Sequence, residues 1–187
     1  VNADVLPVYE REGIAAAYWQ IGFEPVPDAL PFALAHDLLF MGTAYSAERL
    51  ALETVLHELS RSVGIYGHGW QQPSGNTFYN FAQGAALYRH CKIAIGDNQY
   101  GDKGFVSNRL FEALANGAFL MHQTIPGLEE LTGLIDGVHY VSWRDYDDLR
   151  GNVGFYLDNE AERRRIAQQG EAFVRAYHSF DARVREL

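Results

Sequence analysis

The chain has one cysteine, Cys91, no excess of basic charge and no long apolar run among its 187 residues. A single thiol excludes an internal disulfide framework and a cysteine-built zinc site, and it fits a reducing, cytoplasmic setting. Fifteen Lys and Arg stand against 24 Asp and Glu, a net charge of −9, so no surplus of cations is available to neutralise a polymer of phosphates. This argues against nucleic acid and anionic membrane surfaces as partners, and an anionic small ligand has to be held by local devices. No apolar stretch approaches the roughly 18 residues that span a bilayer, and no signal-peptide pattern opens the chain. Repeats and low-complexity tracts are missing too. What is present is 48% hydrophobic and 13% aromatic residues, enough for one well-packed domain and too little chain for a two-domain enzyme. Val1 in place of an initiating Met fits a domain cut from a longer protein.

Three of the six prolines, Pro25, Pro27 and Pro31, fall within seven residues and mark a linker. Ahead of it, Glu10 to Gln20 is expected as a short helix and Tyr18 to Phe23 as a strand, too little for a core. Residues 1–35 therefore read as the end of another domain plus a linker, 36–177 as the domain proper and 178–187 as a C-terminal helix. Within the domain, apolar runs alternate with helical segments. Strands are expected at Asp37 to Gly42, Val63 to Gly67, Lys92 to Gly96, Ala118 to His122 and Val138 to Ser142. Helices are expected at Ser46 to Arg61, Phe78 to His90, Ser107 to Asn116, Leu128 to Leu134, Asp145 to Leu157 and Asn159 to Tyr177. Ser46 serves as an N-cap, Asn159 opens the last helix with Glu162 three residues on, and Gly117 is a natural stop. Five strands alternating with helices imply an α/β fold, a doubly wound parallel sheet with helices on both faces.

In such a sheet, ligands bind beyond the carboxyl ends of the strands, where the strand order reverses. The loops to inspect are Gly42 to Tyr45, Gly67 to Gly75, Gly96 to Val106 and His122 to Gly127. Two are glycine-rich: Gly67-His68-Gly69-Trp70, and the stretch from Gly96 through Gly101 to Gly104. The most informative segment is Ser107-Asn108-Arg109-Leu110-Phe111-Glu112 and the five residues to Gly117. At about 100° per residue, Leu110, Phe111, Leu114 and Ala115 share one side, and Asn108, Arg109, Glu112 and Asn116 lie opposite. A helix starting at Ser107 offers free N–H groups and a positive dipole end to a pyrophosphate, with Arg109 adding a charge-assisted bond. Glu112, one turn deeper, has the geometry to accept two hydrogen bonds from a ribose diol. The competing reading is an Arg109–Glu112 ion pair on a solvated helix face.

The segment Phe111-Glu-Ala-Leu-Ala-Asn-Gly117 resembles the nucleotide-sugar-binding element of GT-B glycosyltransferases. With Ser107-Asn-Arg109 before it, the closer resemblance is to the CgeB-like (spore-maturation-type) glycosyltransferases. Further pieces agree in order: Phe40-Met-Gly-Thr-Ala-Tyr45 with Glu48-Arg49, Ile65-Tyr-Gly-His-Gly-Trp70, Ile93-Ala-Ile-Gly-Asp-Asn98, and the tail from Asn159 through Gly170 to His178. The resemblance covers roughly residues 36–187. It implies a Rossmann-like domain, the C-terminal half of a GT-B fold, that binds a nucleotide-diphosphate-sugar donor for transfer to an unknown acceptor, without metal or other cofactor. By the same resemblance, Gly42 lets the first loop approach the phosphates, Arg49 contacts phosphate, and Gly67, His68, Gly69 and Trp70 border the nucleotide. Asp97 and Asn98 face the donor cleft, Ser107, Asn108 and Arg109 form the helix start, and Glu112 holds the ribose. One departure stands out: many retaining GT-B enzymes carry a second Glu eight residues before the ribose Glu, where this chain has Gly104. The N-terminal GT-B domain, with most acceptor groups and often the catalytic base, is missing, so the fragment is expected to bind donor and turn over little or nothing.

Other features read more plainly. The seven histidines show no metal-ligand spacing; His68 and His122 stand at strand ends, as cleft or as packing residues. Asp145-Tyr-Asp147-Asp148 imitates a metal-binding Asp-x-Asp but sits at a helix start, where acids complement the dipole. Arg163, Arg164 and Arg165 read as a solvated helix face. Trp70 is placed to stack on a base, Trp19 and Trp143 to pack, and Cys91 as an inert buried thiol. A dinucleotide oxidoreductase lacks its three spaced glycines after the first strand. A phosphoacceptor domain lacks its acidic cluster there. A non-catalytic Rossmann-like binding or interaction module remains the alternative from another class.

Overall fold

The computed structural model describes residues 5–19, 22–23, 36–74, 81–98 and 105–185. The proline-rich stretch, the expected helix start at Phe78, and Gly101 and Gly104 lie outside the described residues. The strands are β1 His36–Met41, β2 Val63–Tyr66, β3 Cys91–Gly96, β4 Leu120–Gln123 and β5 Val141–Trp143. The helices are α1 Leu6–Arg11, α2 Ala47–Leu59, α3 Phe81–His90, α4 Asn108–Ala115, α5 Leu128–Thr132, α6 Tyr146–Asp158, α7 Glu160–Tyr177 and α8 Phe180–Val184. All five strands are parallel, in the order β2-β1-β3-β4-β5. The chain runs outward from β1 to β2, crosses back over β1 to β3, and continues the other way. The fold is therefore a Rossmann-like doubly wound sheet, and strand order reverses between β1 and β3.

Both faces of the sheet are buried, which is why its strands read as continuous apolar runs. On one face Leu38, Phe40, Ile65 and Ile93 pack with Leu52 and Leu56 of α2, Leu149 and Val153 of α6, and Ile166 of α7. On the other, Leu39, Met41 and Ala94 pack with Leu87 of α3, Leu110, Phe111 and Leu114 of α4, Leu128 of α5, and Val174 of α7. Among the described residues, side-chain caps start four helices: Ser46, Ser107, Asp145 and Ser179 each accept an N–H from their own first turn. Gly117, at φ 75°, ends α4.

Four local expectations are corrected. The N-terminal helix is not Glu10 to Gln20 but Leu6–Arg11, with Pro7 in its first turn and Gly13 beyond its end. Of the expected strand from Tyr18, only Phe23 pairs, in a single bridge to Ser179; Gln20 and Ile21 lie outside the described residues. β5 starts at Val141, because Asp136 accepts hydrogen bonds from the Ser142 N–H and hydroxyl and Gly137 N–H donates to the Tyr140 carbonyl, turning residues 136–140. Asn159 does open α7 from the N-cap position as expected, although its side chain makes no cap bond there and donates through Nδ2 to the Phe155 carbonyl. Arg163 departs from the solvated basic face: it is 8% exposed.

Candidate functional site

Ser107 places the first turn of α4 at the switch point, above the carboxyl ends of β1 and β3. Arg109 reaches from that turn to β1, donating through Nη1 to the Met41 carbonyl (2.9 Å) and through Nε to the Ser107 hydroxyl (3.4 Å). Gly42 is what admits it, since a Cβ there would strike the guanidinium. Arg109 does not pair with Glu112, so the ion pair on a solvated face is not formed, and its Nη2 has no partner among the described residues. The half-buried Glu112 carboxylate likewise has no hydrogen bond or ion pair among them. Burial pushes its pKa up, against the opposing pull of Arg109. Asn108 is exposed beside it.

His122, one residue before the end of β4, is almost fully buried, its ring packed against Gly96. Its Nδ1 lies 2.7 Å from the Gln123 carbonyl. A carbonyl only accepts, so Nδ1 carries the proton, and burial holds the ring neutral by lowering its pKa. Nε2 is left as a lone-pair acceptor. Asp97, Ser107, Arg109 and His122 line a cavity of about 20 Å³, room for one water.

Two residues expected at the ligand are committed elsewhere. Arg49 is 2% exposed and clamps Asp97 in a two-pronged bond, Nε to Oδ2 at 2.6 Å and Nη2 to Oδ1 at 2.8 Å. Its Nη1 donates to the Thr43 carbonyl (2.5 Å), and the guanidinium lies 4.5 Å from the Tyr45 ring centroid. Arg49 and Asp97 tie the β1–α2 loop to the end of β3. Trp70 is not open to a base: it is 8% exposed, edge-on to Phe40, and donates to the Gly42 carbonyl (2.7 Å). Gly67, at φ 153°, has no space for a Cβ against that same carbonyl, and Gly69 packs on the Ala44 carbonyl. His68 is exposed, its carbonyl accepting from Ala44 N–H.

Sequence reasoning missed the groups that carry this arrangement. Glu53, buried in α2, accepts the N–H groups of Gln71 and Gln72 (3.0 and 2.6 Å) and holds the loop after β2. Beyond β3, β4 and β5 lies a cavity of about 240 Å³, lined by Glu48, Asp97, Gln123, Arg144, Asp145 and Tyr146 among others. Tyr146 closes its rim by donating to the Glu48 carbonyl (2.9 Å). Asn98 lies alongside: its N–H donates to Gln123 Oε1, its Nδ2 to the Thr124 carbonyl, and its buried Oδ1 has no partner among the described residues. The strand-end rule covers the loop after β5 as well, which was not among the four loops singled out from the sequence. Among the described residues no three His, Cys, Asp or Glu side chains converge as a metal site would need, and no helix is long and apolar enough to cross a membrane.

A doubly wound parallel sheet with polar groups gathered at its switch point defines a Rossmann-like α/β protein, and its fold matches that of GT-B glycosyltransferases. The chain belongs to the glycosyl transferase-like family, whose model matches residues 46–187. Among solved structures it is similar to HepE from Anabaena in complex with UDP-glucose (TM-score 0.63, 11% identity, 81% of this chain and 47% of that one). It is also similar to an alpha1,3-fucosyltransferase with GDP (0.60, 11%, 73% and 39%) and to sucrose-phosphate synthase from Thermosynechococcus elongatus (0.57, 16%, 100% and 55%). The chain thus spans about half the length of these proteins or less. No curated protein matches its sequence.

Proposed function

We propose that this chain is the donor-binding domain of a metal-independent, CgeB-like GT-B glycosyltransferase that takes a sugar from a nucleoside diphosphate in the cytosol. The observation that carries this reading is the start of α4. A capped helix N-terminus stands at the switch point, Arg109 is pinned to the Met41 carbonyl, Glu112 is half-buried one turn below, and neither Arg109 Nη2 nor the Glu112 carboxylate has a partner among the described residues. Such a set suits a diphosphate above a ribose: helix N–H groups and a guanidinium for the anion, a carboxylate for the diol. Neighbours that hold UDP-glucose and GDP support the same class of ligand. Because the chain covers about half of those proteins, the acceptor and most of the turnover are assigned to a second, N-terminal domain.

Calorimetric titration with UDP, GDP, dTDP and ADP and their sugars tests this. Saturable binding of one nucleoside diphosphate is expected, at least about 10-fold weaker in Glu112→Ala and in Arg109→Ala with unfolding temperatures unchanged, as loss of hydrogen bonds to charged groups implies. If the chain and the full-length protein both fail to bind any of them, the fold serves as an interaction module and the reading is wrong.

A further inference from the structure

At the amino ends of β3 and β4, away from the site above, lies a cavity of about 420 Å³ between the end of α3, the start of β3, the turn before β4 and the start of α7. Its charged lining is Arg89, Lys92, Arg163 and Arg164 against Glu160 alone, a concentration of positive charge in a protein of net charge −9. Arg163 is the informative member. It is more than nine-tenths buried, yet only its Nη1 is bonded, to the carbonyls of Tyr156 and Leu157 at the end of α6. Its Nε and Nη2 have no partner among the described residues and are not sealed from solvent, so this edge of the guanidinium stands open on the cavity. Lys92 and Arg164 are held loosely. Lys92 pairs with Asp37, and Arg164 with Glu160, through side chains that are 53% and 72% exposed. Exposed pairs of this kind hold their partners weakly and are free to turn to a stronger anion. The first turn of α7, which begins at Glu160, adds its dipole to the same wall.

We propose that this cavity is a binding site for a phosphate-type oxyanion, seated on the open edge of the Arg163 guanidinium and enclosed by Lys92, Arg164 and Arg89. Planar guanidinium donors match phosphate oxygens two at a time, and the volume admits more than a single phosphate group. The site is independent of the donor reading: it shares no residue with the switch point.

The test is a titration of the whole ¹⁵N-labelled chain with inorganic pyrophosphate at low salt, followed by amide shifts. Saturable shifts at Gly117, Phe119 and Arg164 are expected, at least about 10-fold weaker in a Lys92→Gln/Arg164→Gln double variant whose remaining spectrum is unchanged. A parallel arm uses phosphatidylcholine vesicles with and without phosphatidic acid. Co-sedimentation with the acidic vesicles alone, lost in the double variant and without shifts from pyrophosphate, supports the site with a lipid headgroup as its source; shifts from pyrophosphate without vesicle binding support it with a soluble one. Shifts confined to the start of α4, equal affinity in the double variant, or no response in either arm overturns the proposal.

Discussion

Replacing Asp97 with Ala removes the counterion of a guanidinium that is 2% exposed and leaves Arg49 the Thr43 carbonyl and the faces of Tyr45 and Phe40. A buried charge stripped of its partner costs about 3–5 kcal/mol. At roughly 2–4 °C per kcal/mol for a chain of this size, that lowers the unfolding temperature by about 6–20 °C. The reverse change, Arg49→Met, costs less, because the Asp97 side chain is 11% exposed against 3% for Arg49 and can take up water. The two changes together are milder than their sum, with a coupling of about 2 kcal/mol or more, since an apolar pair leaves no orphaned charge. Urea unfolding of the four proteins, followed by circular dichroism, measures the cycle. A cost below about 1 kcal/mol for Asp97→Ala, with coupling near zero, would mean that the pair behaves as an exposed one and that the clamp does not hold the two loops.

Glu112→Gln should stabilise the ligand-free chain at pH 7. Burial raises the carboxyl's pKa above its unfolded value, so the folded state binds the extra proton and wild-type stability falls as pH rises from the unfolded pKa through the folded one; the advantage of Gln therefore shrinks towards pH 4 in thermal melts. Trp70→Phe should lose about 1 kcal/mol with the bond to the Gly42 carbonyl and leave nucleoside diphosphate affinity unchanged, whereas a base-stacking Trp70 would cost affinity first. Gly67→Ala, forced against the Gly42 carbonyl, should cost about 1–3 kcal/mol in denaturant unfolding; a neutral result would refute the close contact between the ends of β1 and β2.

The sheet was legible because each parallel strand is a short apolar run ended by glycine or a polar residue, and because caps such as Ser46 and Ser107 announce their helices. β5 was less so: Val138 and Tyr140 have strand chemistry, but Asp136 and Gly137 fold that stretch into a turn before the strand begins. At the candidate site, local signals were enough to put Arg109 and Glu112 on one helix behind the Ser107 cap. Arg49 and Asp97 are 48 residues apart and Trp70 and Gly42 are 28 apart, so their pairings are products of tertiary packing, which no spacing rule encodes. Arg163 misled for a related reason: a run of three arginines on a helix turns one of them inward, and only the packed neighbours decide which.

Helix α7 puts Ile166 and Ala167 into the core on one side of the sheet and Val174 into the core on the other, and Gly170 between them lies against the His139 carbonyl and Leu114 of α4. One rigid element is thus rooted in both layers. Opening either layer strips half of this helix and weakens the opposite one, so the two sides are expected to unfold as a single cooperative unit, with the central amides of α7 exchanging with solvent through global unfolding.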